Sequence, residues 1–170
     1  MKRVIYAGSF DPMHLGHIDI IERAVSLFPS RKVTVIVANN RDKKHFLTIE
    51  QRMAITQDSL AHLDGKIDII MYEGIISDYA NENDADVMIR GIRSGTDFEY
   101  EFNLEQFTRK TSKMETSYLT PKNEHINTSS SLVRMFLQTN NTVEAKVYMS
   151  KEGFYRMTEL IKYKKDQNDT

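Results

Sequence analysis

The chain has 170 residues, with 23 Lys and Arg against 24 Asp and Glu, a formal net charge of -1, and neither Cys nor Trp. The lack of Cys excludes disulfide scaffolds, iron-sulfur clusters, cysteine nucleophiles and thiolate zinc sites, and the near-zero charge argues against a dedicated nucleic-acid binder. No apolar run approaches the ~20 residues of a membrane span, and Lys2 and Arg3 precede only a short apolar run, so we expect no signal peptide and a cytoplasmic protein.

Five short segments rich in β-branched residues alternate with stretches of helical periodicity. Strands are predicted at residues 4–7, 33–38, 67–72, 87–89 and 117–119. Helices are predicted at residues 15–28, from Thr48 with a Thr48/Gln51 capping box, at 75–81, from Thr96 with a Thr96/Glu99 capping box to about 110, from the serines at 129–131 to Leu137, and around Phe154, Met157, Leu160 and Ile161. Residues 1–161 are interpreted as a single domain and residues 162–170 as a polar, frayed tail.

This alternation predicts an α/β fold: a Rossmann-like, doubly wound and mostly parallel five-stranded sheet, with helices on both faces and a C-terminal helical extension. Ligands on such sheets bind at the carboxyl ends of the strands. The chemically suggestive segments follow predicted strands: GSFDPMHLGH at residues 8–17, then 39–44, RGIR at 90–93 and the stretch toward 128–131. We therefore expect these loops to meet at one edge.

The segment at residues 8–17 has the features of an anion site at a strand-to-helix turn. Gly8 permits a sharp turn and a close approach of backbone amides, and the helix that begins near His14 attracts phosphate through its free N–H groups. His14 and His17 lie on one side of its first turn and could both donate to phosphate oxygens, or they could be ordinary satisfied histidines. The segment is neither a dinucleotide fingerprint nor a P-loop, and two histidines without a third ligand do not complete a zinc site.

Further cationic residues follow the second and fourth strands. Lys43 and Lys44 could bind phosphate or lie in a solvated loop. Arg90 and Arg93 leave a strand end, where bidentate contacts to phosphate are natural. Alternatively, the two arginines pair with carboxylates of the DFEYE stretch at residues 97–101.

The serines at 129–131 could cap a helix and bind phosphate with the same free amides, whereas Glu101 could simply belong to a solvated helix face. Taken together, the cations, the two histidines and the two helix N-termini suggest a polyanionic ligand such as a nucleoside triphosphate. The site is of the kind that stabilises phosphoryl chemistry electrostatically.

The string GSFDPMHLGH resembles the nucleotidyltransferases that carry a (T/H)xGH motif. With RGIR, DFEYE and SSSLVR further on, residues 1 to about 137 are similar to the pantetheine-phosphate adenylyltransferase family, with all motifs in order. RGIR followed by DFEYE is what makes the resemblance specific to that family.

The resemblance implies reversible transfer of AMP from ATP to 4'-phosphopantetheine, giving dephospho-coenzyme A and pyrophosphate, with Mg2+ and without a covalent enzyme intermediate. It implies catalytic roles for His17, Lys43 and Arg93, with backbone amides at Ser9 and Phe10 assisting His17. It assigns 4'-phosphopantetheine to Ser9, Lys43, Ile76 and Arg90. It assigns ATP to Ser9, Phe10, His14, His17, Gly91, Ile92, Arg93, Glu101, His125, Ile126, Asn127, Thr128, Ser129, Ser130 and Ser131.

Family members form homohexamers restrained by coenzyme A, so the resemblance implies the same assembly and regulation here. No metal cage built by the protein alone is expected, since Mg2+ commonly rides on substrate phosphates. The chain departs from the family pattern in several places: Ala7 stands for Pro, His14 for Thr, Thr108 for Asn, and INTSSS at 126–131 for FISSS, and the match fades after Leu137.

Two alternatives stay open on the sequence. A sister nucleotidyltransferase, acting on nicotinamide mononucleotide or as a cytidylyltransferase, would share the first motif, and His14 fits those enzymes, but they lack DFEYE. A non-catalytic nucleotide-binding module is the other alternative. The joint presence of His17, Lys43, Arg90 and Arg93 argues against it, because binding alone does not need every group aimed at one phosphate.

Overall fold

The computed structural model describes residues 3–39 and 43–168, with side chains as far as Lys162. The strands are β1 (Arg3–Gly8), β2 (Val33–Ala38), β3 (Ile67–Tyr72), β4 (Ala85–Gly91) and β5 (Glu115–Leu119). The α-helices are α1 (Leu15–Leu27), α2 (Ile49–Ser59), α3 (Ile76–Glu82), α4 (Gly95–Thr111), α5 (Ser130–Gln138), α6 (Thr142–Val147) and α7 (Lys151–Asn168). Among these described helices none is long and apolar enough to cross a membrane.

The five strands form one sheet in the order β3-β2-β1-β4-β5. All neighbouring strands within the described ranges are parallel. This confirms the predicted α/β class. The strand order reverses between β1 and β4, so the carboxyl ends of these two strands flank the topological switch point where ligands of open α/β sheets bind.

Helices cover both faces of the sheet because successive side chains of a strand point to opposite sides. Val4 and Tyr6 of β1 belong to the larger apolar core, which α1, α2, α5 and α7 cover. Ile5, between them, belongs to a second core on the other face together with Tyr79 and Ala80 of α3. The sheet is therefore buried on both sides, and the carboxyl ends of its strands are where a ligand is expected.

The structure confirms the predicted start of α2 and corrects the predicted start of α4. Thr48 Oγ1 accepts a hydrogen bond from Gln51 N at 3.3 Å, and Gln51 Oε1 accepts one from Thr48 N at 3.0 Å. The Thr96/Glu99 capping box is wrong. Ser94 has the extended backbone of a cap and accepts from Asp97 N at 3.2 Å, so α4 begins two residues earlier than predicted.

The chain after Leu137 forms two helices. The short α6 has no counterpart in the prediction, whereas α7 contains the predicted last helix and packs along α2. A Cβ on Gly153 would lie 2.1 Å from Ser59 Oγ, so glycine is required where the two helices approach each other. The α7 backbone is helical to Asn168, beyond Lys162 where the sequence predicts a polar tail.

Candidate active site

A cavity of about 660 Å³ opens at the carboxyl ends of β1, β2 and β4. The four loops that the sequence places after strands all contribute to it, as predicted. Thirteen of the predicted site residues line it: Ser9, Phe10, His14, His17, Lys43, Ile76, Arg90, Gly91, Arg93, Glu101, Ser129, Ser130 and Ser131.

The other predicted site residues, Ile92 and the stretch 125–128, border the cavity without lining it. Thr128 is buried, and its carbonyl oxygen accepts a hydrogen bond from Arg93 at 2.9 Å. The backbone oxygen of His125 lies 3.5 Å from where a Cβ on Gly16 would stand. This segment therefore packs against the α1 N-terminus and fixes Arg93.

The loop between β1 and α1 is held in one shape. Phe10 has a positive φ of 45° and is only 2% exposed, and its ring fills the space above Gly8, where a Cβ would come within 2.8 Å of it. Asp11 is also buried, and its carboxylate accepts from Phe46 N at 2.8 Å and from Leu47 N at 3.0 Å. These contacts tie the loop to the segment that precedes α2.

His14 and His17 lie together at the start of α1, as their spacing predicts. Their rings stack with centroids 3.6 Å apart, and the His17 ring also meets Phe10 edge-on at 5.0 Å. His14 N donates to His17 Nδ1 at 3.4 Å. Because a backbone N–H can only donate, this contact makes Nδ1 the acceptor and leaves the proton of a neutral His17 on Nε2.

Both histidines are neutral at physiological pH. Burial, assisted by the nearby Arg93 guanidinium, lowers the pKa of His17 to about 3. Burial also lowers the pKa of His14 well below its usual value, with His17 and Arg93 adding to the effect. The two side chains are placed as a reciprocal capping box at the start of α1, while His14 Nδ1 makes no close hydrogen bond among the described residues.

Arg90 and Arg93 reach the cavity from the end of β4 and are both paired with carboxylates of α4. Arg90 bonds to Glu101 and donates to Thr108 Oγ1 at 3.3 Å. Arg93 donates through Nε to Asp97 Oδ2 at 2.8 Å. The pairing with the DFEYE carboxylates considered from the sequence is thus present, yet both guanidinium groups still line the cavity. Glu101 is an ion-pair partner rather than part of a solvated face.

The N-terminus of α5 is tied to the loop that precedes α1. Ser129 Oγ caps α5 by accepting from Leu132 N at 3.1 Å, and Ser130 Oγ donates to the Pro12 carbonyl at 2.9 Å. Arg134 donates to the Asp11 carbonyl at 2.7 Å. The two helix N-termini, whose dipoles favour negative charge, are therefore held next to each other at one cavity.

Sequence reasoning missed several residues of the site. Arg134 adds a third arginine to the cavity, and the sequence signal for it is the arginine that ends SSSLVR. The α4 helix supplies an apolar wall through Tyr100, Leu104 and Phe107, which are 64%, 39% and 53% exposed. These residues lie in and just after DFEYE, and the acidic residues of that motif do not indicate that the same helix has an apolar face toward the cavity.

Comparisons with known proteins agree with this geometry. A family model described as cytidylyltransferase-like matches residues 5–136, which is most of the chain. The fold, the residues at the cavity and this family match together define the chain as a nucleotidyltransferase of the cytidylyltransferase-like class.

Within that class, curated relatives are more specific. The chain is 39% identical over 143 residues to the phosphopantetheine adenylyltransferases of the Lens and Philadelphia 1 strains of Legionella pneumophila, covering 84% of this chain and 82% of each relative. The protein of the Paris strain is 39% identical over the same share of this chain and 83% of its own length. The chain belongs to the phosphopantetheine adenylyltransferase family.

Solved structures share the fold at low sequence identity. The lipopolysaccharide core biosynthesis protein from Thermoplasma volcanium superposes with a TM-score of 0.52 at 19% identity, covering 72% of this chain and 99% of that one. Thermotoga maritima TmcAL bound with alpha-thio ATP superposes with a TM-score of 0.65 at 12% identity, covering 96% of this chain and 56% of that one. At these identities the likeness establishes the Rossmann-like fold alone.

Proposed function

We propose that this chain transfers the adenylyl group of ATP to 4'-phosphopantetheine, giving dephospho-coenzyme A and pyrophosphate. Family membership supports this activity. The observation that carries it is the convergence of a neutral His17, the α1 and α5 N-termini, and Arg90 and Arg93 on one cavity. Such an array of fixed donors suits a reaction in which negative charge accumulates on phosphorus-bound oxygens.

On the ATP side, His17 donates from Nε2 to the α-phosphate, together with backbone amides at Ser9 and Phe10. Arg93 and the serines that open α5 take the β- and γ-phosphates. The position of Arg93 supports this assignment, because Arg93 donates to the Thr128 carbonyl beside the α5 N-terminus. The adenine then lies toward the stretch 125–128, in the segment that the resemblance assigns to ATP.

On the acceptor side, Lys43, Ile76 and Arg90 hold 4'-phosphopantetheine, and the apolar wall of α4 is available to its pantetheine arm. An oxygen of the acceptor phosphate forms the new bond to the α-phosphorus. The bond from that phosphorus to the oxygen bridging the β-phosphorus breaks, and its electron pair leaves with pyrophosphate. A phosphate oxygen is already anionic at neutral pH, so the attack needs no general base, which agrees with a histidine that only donates.

Mg2+ enters with the triphosphate as part of the substrate. Within the described residues, the carboxylates that line the cavity are otherwise engaged: Asp11 accepts two backbone N–H groups, Asp97 binds Arg93, and Glu101 binds Arg90. Mg2+ characteristically keeps several waters and bridges substrate phosphates, so it would neutralise charge on ATP without a cage of protein ligands.

Assembly, regulation and location complete the proposal: a cytoplasmic homohexamer that coenzyme A inhibits. Exposed aromatic residues on α4 support a contact between copies, because Phe98 and Phe102 are each 44% exposed and their ring centroids lie 5.8 Å apart. Coenzyme A carries the pantetheine arm of the acceptor, so it would compete for the same part of the cavity.

The test is pyrophosphate release from MgATP by the purified protein, measured with 4'-phosphopantetheine, with nicotinamide mononucleotide and without acceptor. We expect release only with 4'-phosphopantetheine, and dephospho-coenzyme A as the second product. Release only with nicotinamide mononucleotide would move the chain to a sister activity. A folded protein that binds ATP but releases no pyrophosphate with any acceptor would favour the non-catalytic module.

A further inference from the structure

Among the side chains that the structure describes, Arg52 on α2 is the largest that is fully buried, with an exposure of 0%. It is absent from the cavity lining and from every motif considered above. Burial lowers the pKa of its guanidinium. A buried cation costs free energy unless it is well paired, so its position calls for a specific partner.

The guanidinium of Arg52 joins the ends of two neighbouring strands. Its Nη1 atom donates to the Ser9 carbonyl at 2.7 Å and to the Ala38 carbonyl at 2.8 Å, and Nη2 donates to Asn39 Oδ1 at 2.8 Å. Within the described residues, none of these hydrogen bonds goes to a carboxylate. The positive charge is thus directed into the loops that follow β1 and β2, next to the cavity that Ser9 lines.

The bond to the Ser9 carbonyl has a direct consequence for Phe10. The Ser9 carbonyl and the Phe10 N–H belong to one peptide unit, and in a trans peptide such as this one the two groups point in opposite directions. In the part of the chain that the structure describes, the Phe10 N–H has no hydrogen-bond acceptor. Holding the carbonyl toward Arg52 therefore turns a free N–H to the other side, and the bond to a cation makes that N–H a stronger donor.

We propose that Arg52 is a positioning residue: it fixes and polarises the Ser9–Phe10 peptide so that the Phe10 N–H donates to the α-phosphate oxygen in the transition state. The positive φ of Phe10 marks the strained turn that this bond stabilises. The inference rests on the proposed adenylyl transfer, because it assigns the donor to an oxygen on the reacting phosphorus.

The test compares wild type with Arg52→Lys, which keeps the charge but cannot bind two carbonyls and an amide in one plane. We expect kcat to fall about 10- to 100-fold, part of the loss known for one oxyanion donor, while KM for ATP stays within about threefold. The control is Arg156→Lys on α7. Arg156 donates through Nε to Asp58 of α2 at 2.8 Å and lies outside the cavity lining. The control is expected to retain the wild-type kcat.

A second readout separates positioning from general damage. Wild type is expected to discriminate between the Rp and Sp forms of α-thio ATP, because sulfur at one of the two α-oxygens weakens the Phe10 hydrogen bond. Arg52→Lys is expected to narrow that discrimination. Should Arg52→Lys fail to fold, Asn39→Ala removes one of the three Arg52 contacts, and we expect it to narrow the discrimination with a smaller loss of kcat.

Specific results would overturn the inference. A folded Arg52→Lys with wild-type kcat and unchanged Rp/Sp discrimination would contradict it. An equal loss of kcat in Arg156→Lys would also contradict it. If Arg52→Lys does not fold, unchanged Rp/Sp discrimination in Asn39→Ala would contradict it. Absence of wild-type turnover with 4'-phosphopantetheine would contradict the proposed function and, with it, the role of Arg52. Full turnover by Arg52→Lys contradicts this inference alone.

Discussion

His17 combines two properties that are set by different neighbours. The His14 backbone N–H fixes which ring nitrogen carries the proton, and burial together with Arg93 keeps the ring neutral. A neutral ring still donates from Nε2, and it keeps no permanent charge that would bind substrate and transition state equally. We therefore assign His17 the role of a donor that is already oriented before the phosphate arrives.

Replacing His17 by Asn tests this role. We expect kcat to fall about 10²- to 10³-fold, the scale for removing one preorganised donor, with little change in thermal stability at neutral pH. Steady-state pyrophosphate release and thermal melts provide the two measurements. The matched control is His62→Asn, since His62 is a half-exposed histidine that pairs with Glu22 outside the cavity. A kcat for His17→Asn within a few-fold of the control would contradict the assignment.

The lowered pKa of His17 also makes the fold sensitive to acid. Between the unfolded value near 6.5 and the folded value of about 3, the unfolded chain takes up a proton that the folded chain refuses, so stability is lost as pH falls. One such proton changes the free energy of unfolding by about 1.4 kcal/mol per pH unit within that window. Urea unfolding is measured at several pH values from neutral to mildly acidic. The free energy of unfolding is expected to fall less steeply with decreasing pH for His17→Asn than for wild type. An identical slope would contradict burial of a neutral ring.

Arg90 and Arg93 are expected to bind different substrates, so that replacing either one changes KM mainly for one substrate. Arg90→Lys is expected to raise KM for 4'-phosphopantetheine about tenfold or more, the scale of a charge-assisted hydrogen bond, and to change KM for ATP much less. Arg93→Lys is expected to do the reverse. Each variant serves as the control for the other in bisubstrate kinetics. Parallel effects on both substrates from both variants would contradict the assignment of the arginines to separate ends.

At this scale the sequence predicts residue types well and contacts poorly. His17, Arg90 and Arg93 could be predicted as site residues because they follow strand ends in short motifs. Arg52 could not be predicted, because an arginine on an amphipathic helix is ordinarily exposed. Its burial depends on two strand ends that lie 14 and 43 residues away in the chain. Such long-range contacts leave no local pattern.

At the scale of elements, caps and glycines decide where helices begin and how closely they pack. Ser94 and Thr96 are each followed three residues later by an acidic residue, so the local pattern offers two starts for α4. The extended backbone of Ser94 selects the first. The six-residue α6 shows why short helices escape prediction, since one and a half turns carry too few apolar positions for a period to be recognised.

The contact between α2 and α7 depends on Gly153. Gly153→Ala is expected to lower the free energy of unfolding by about 1–3 kcal/mol, the cost of forcing atoms into a packed contact, because its Cβ would lie 2.1 Å from Ser59 Oγ. Urea unfolding measures the loss. The double variant with Ser59→Ala should recover much of it, since the nearest remaining Ser59 atom is 3.4 Å away.

Gly95→Ala is the matched control, because nothing lies within 4 Å of the Cβ it adds at the start of α4. We expect this variant to be as stable as wild type or slightly more so. Equal stability of Gly153→Ala and Gly95→Ala would contradict the close approach of α2 and α7.

At the scale of the whole molecule, strand order explains why distant motifs meet. Since β1 and β4 are neighbours at the centre of the sheet, the loop from Gly8 and the RGIR segment face each other although about eighty residues separate them. Alternation of strands and helices was enough to predict the parallel sheet and the edge at which the cavity lies. It could not predict which residues of α4 would remain exposed, because core and interface positions have the same period.

Those exposed residues give a prediction about assembly. Phe102→Glu adds a charge to the aromatic pair on α4 outside the cavity lining, and we expect it to shift sedimentation from the proposed hexamer to smaller species. Tyr155→Glu is the control, as Tyr155 is an aromatic residue of α7 that is 51% exposed, and it should leave the assembly unchanged. A hexamer in both variants would place the contact between copies elsewhere.

The most direct test of the account is a single turnover with enzyme in excess over ATP labelled at the α-phosphorus, in the presence of Mg2+ and 4'-phosphopantetheine, quenched at successive times. Direct transfer predicts that the label passes from ATP to dephospho-coenzyme A in one step, with none attached to the protein at any time. Label that first appears on the protein would contradict direct attack, and label that stays in ATP would contradict the proposed activity itself.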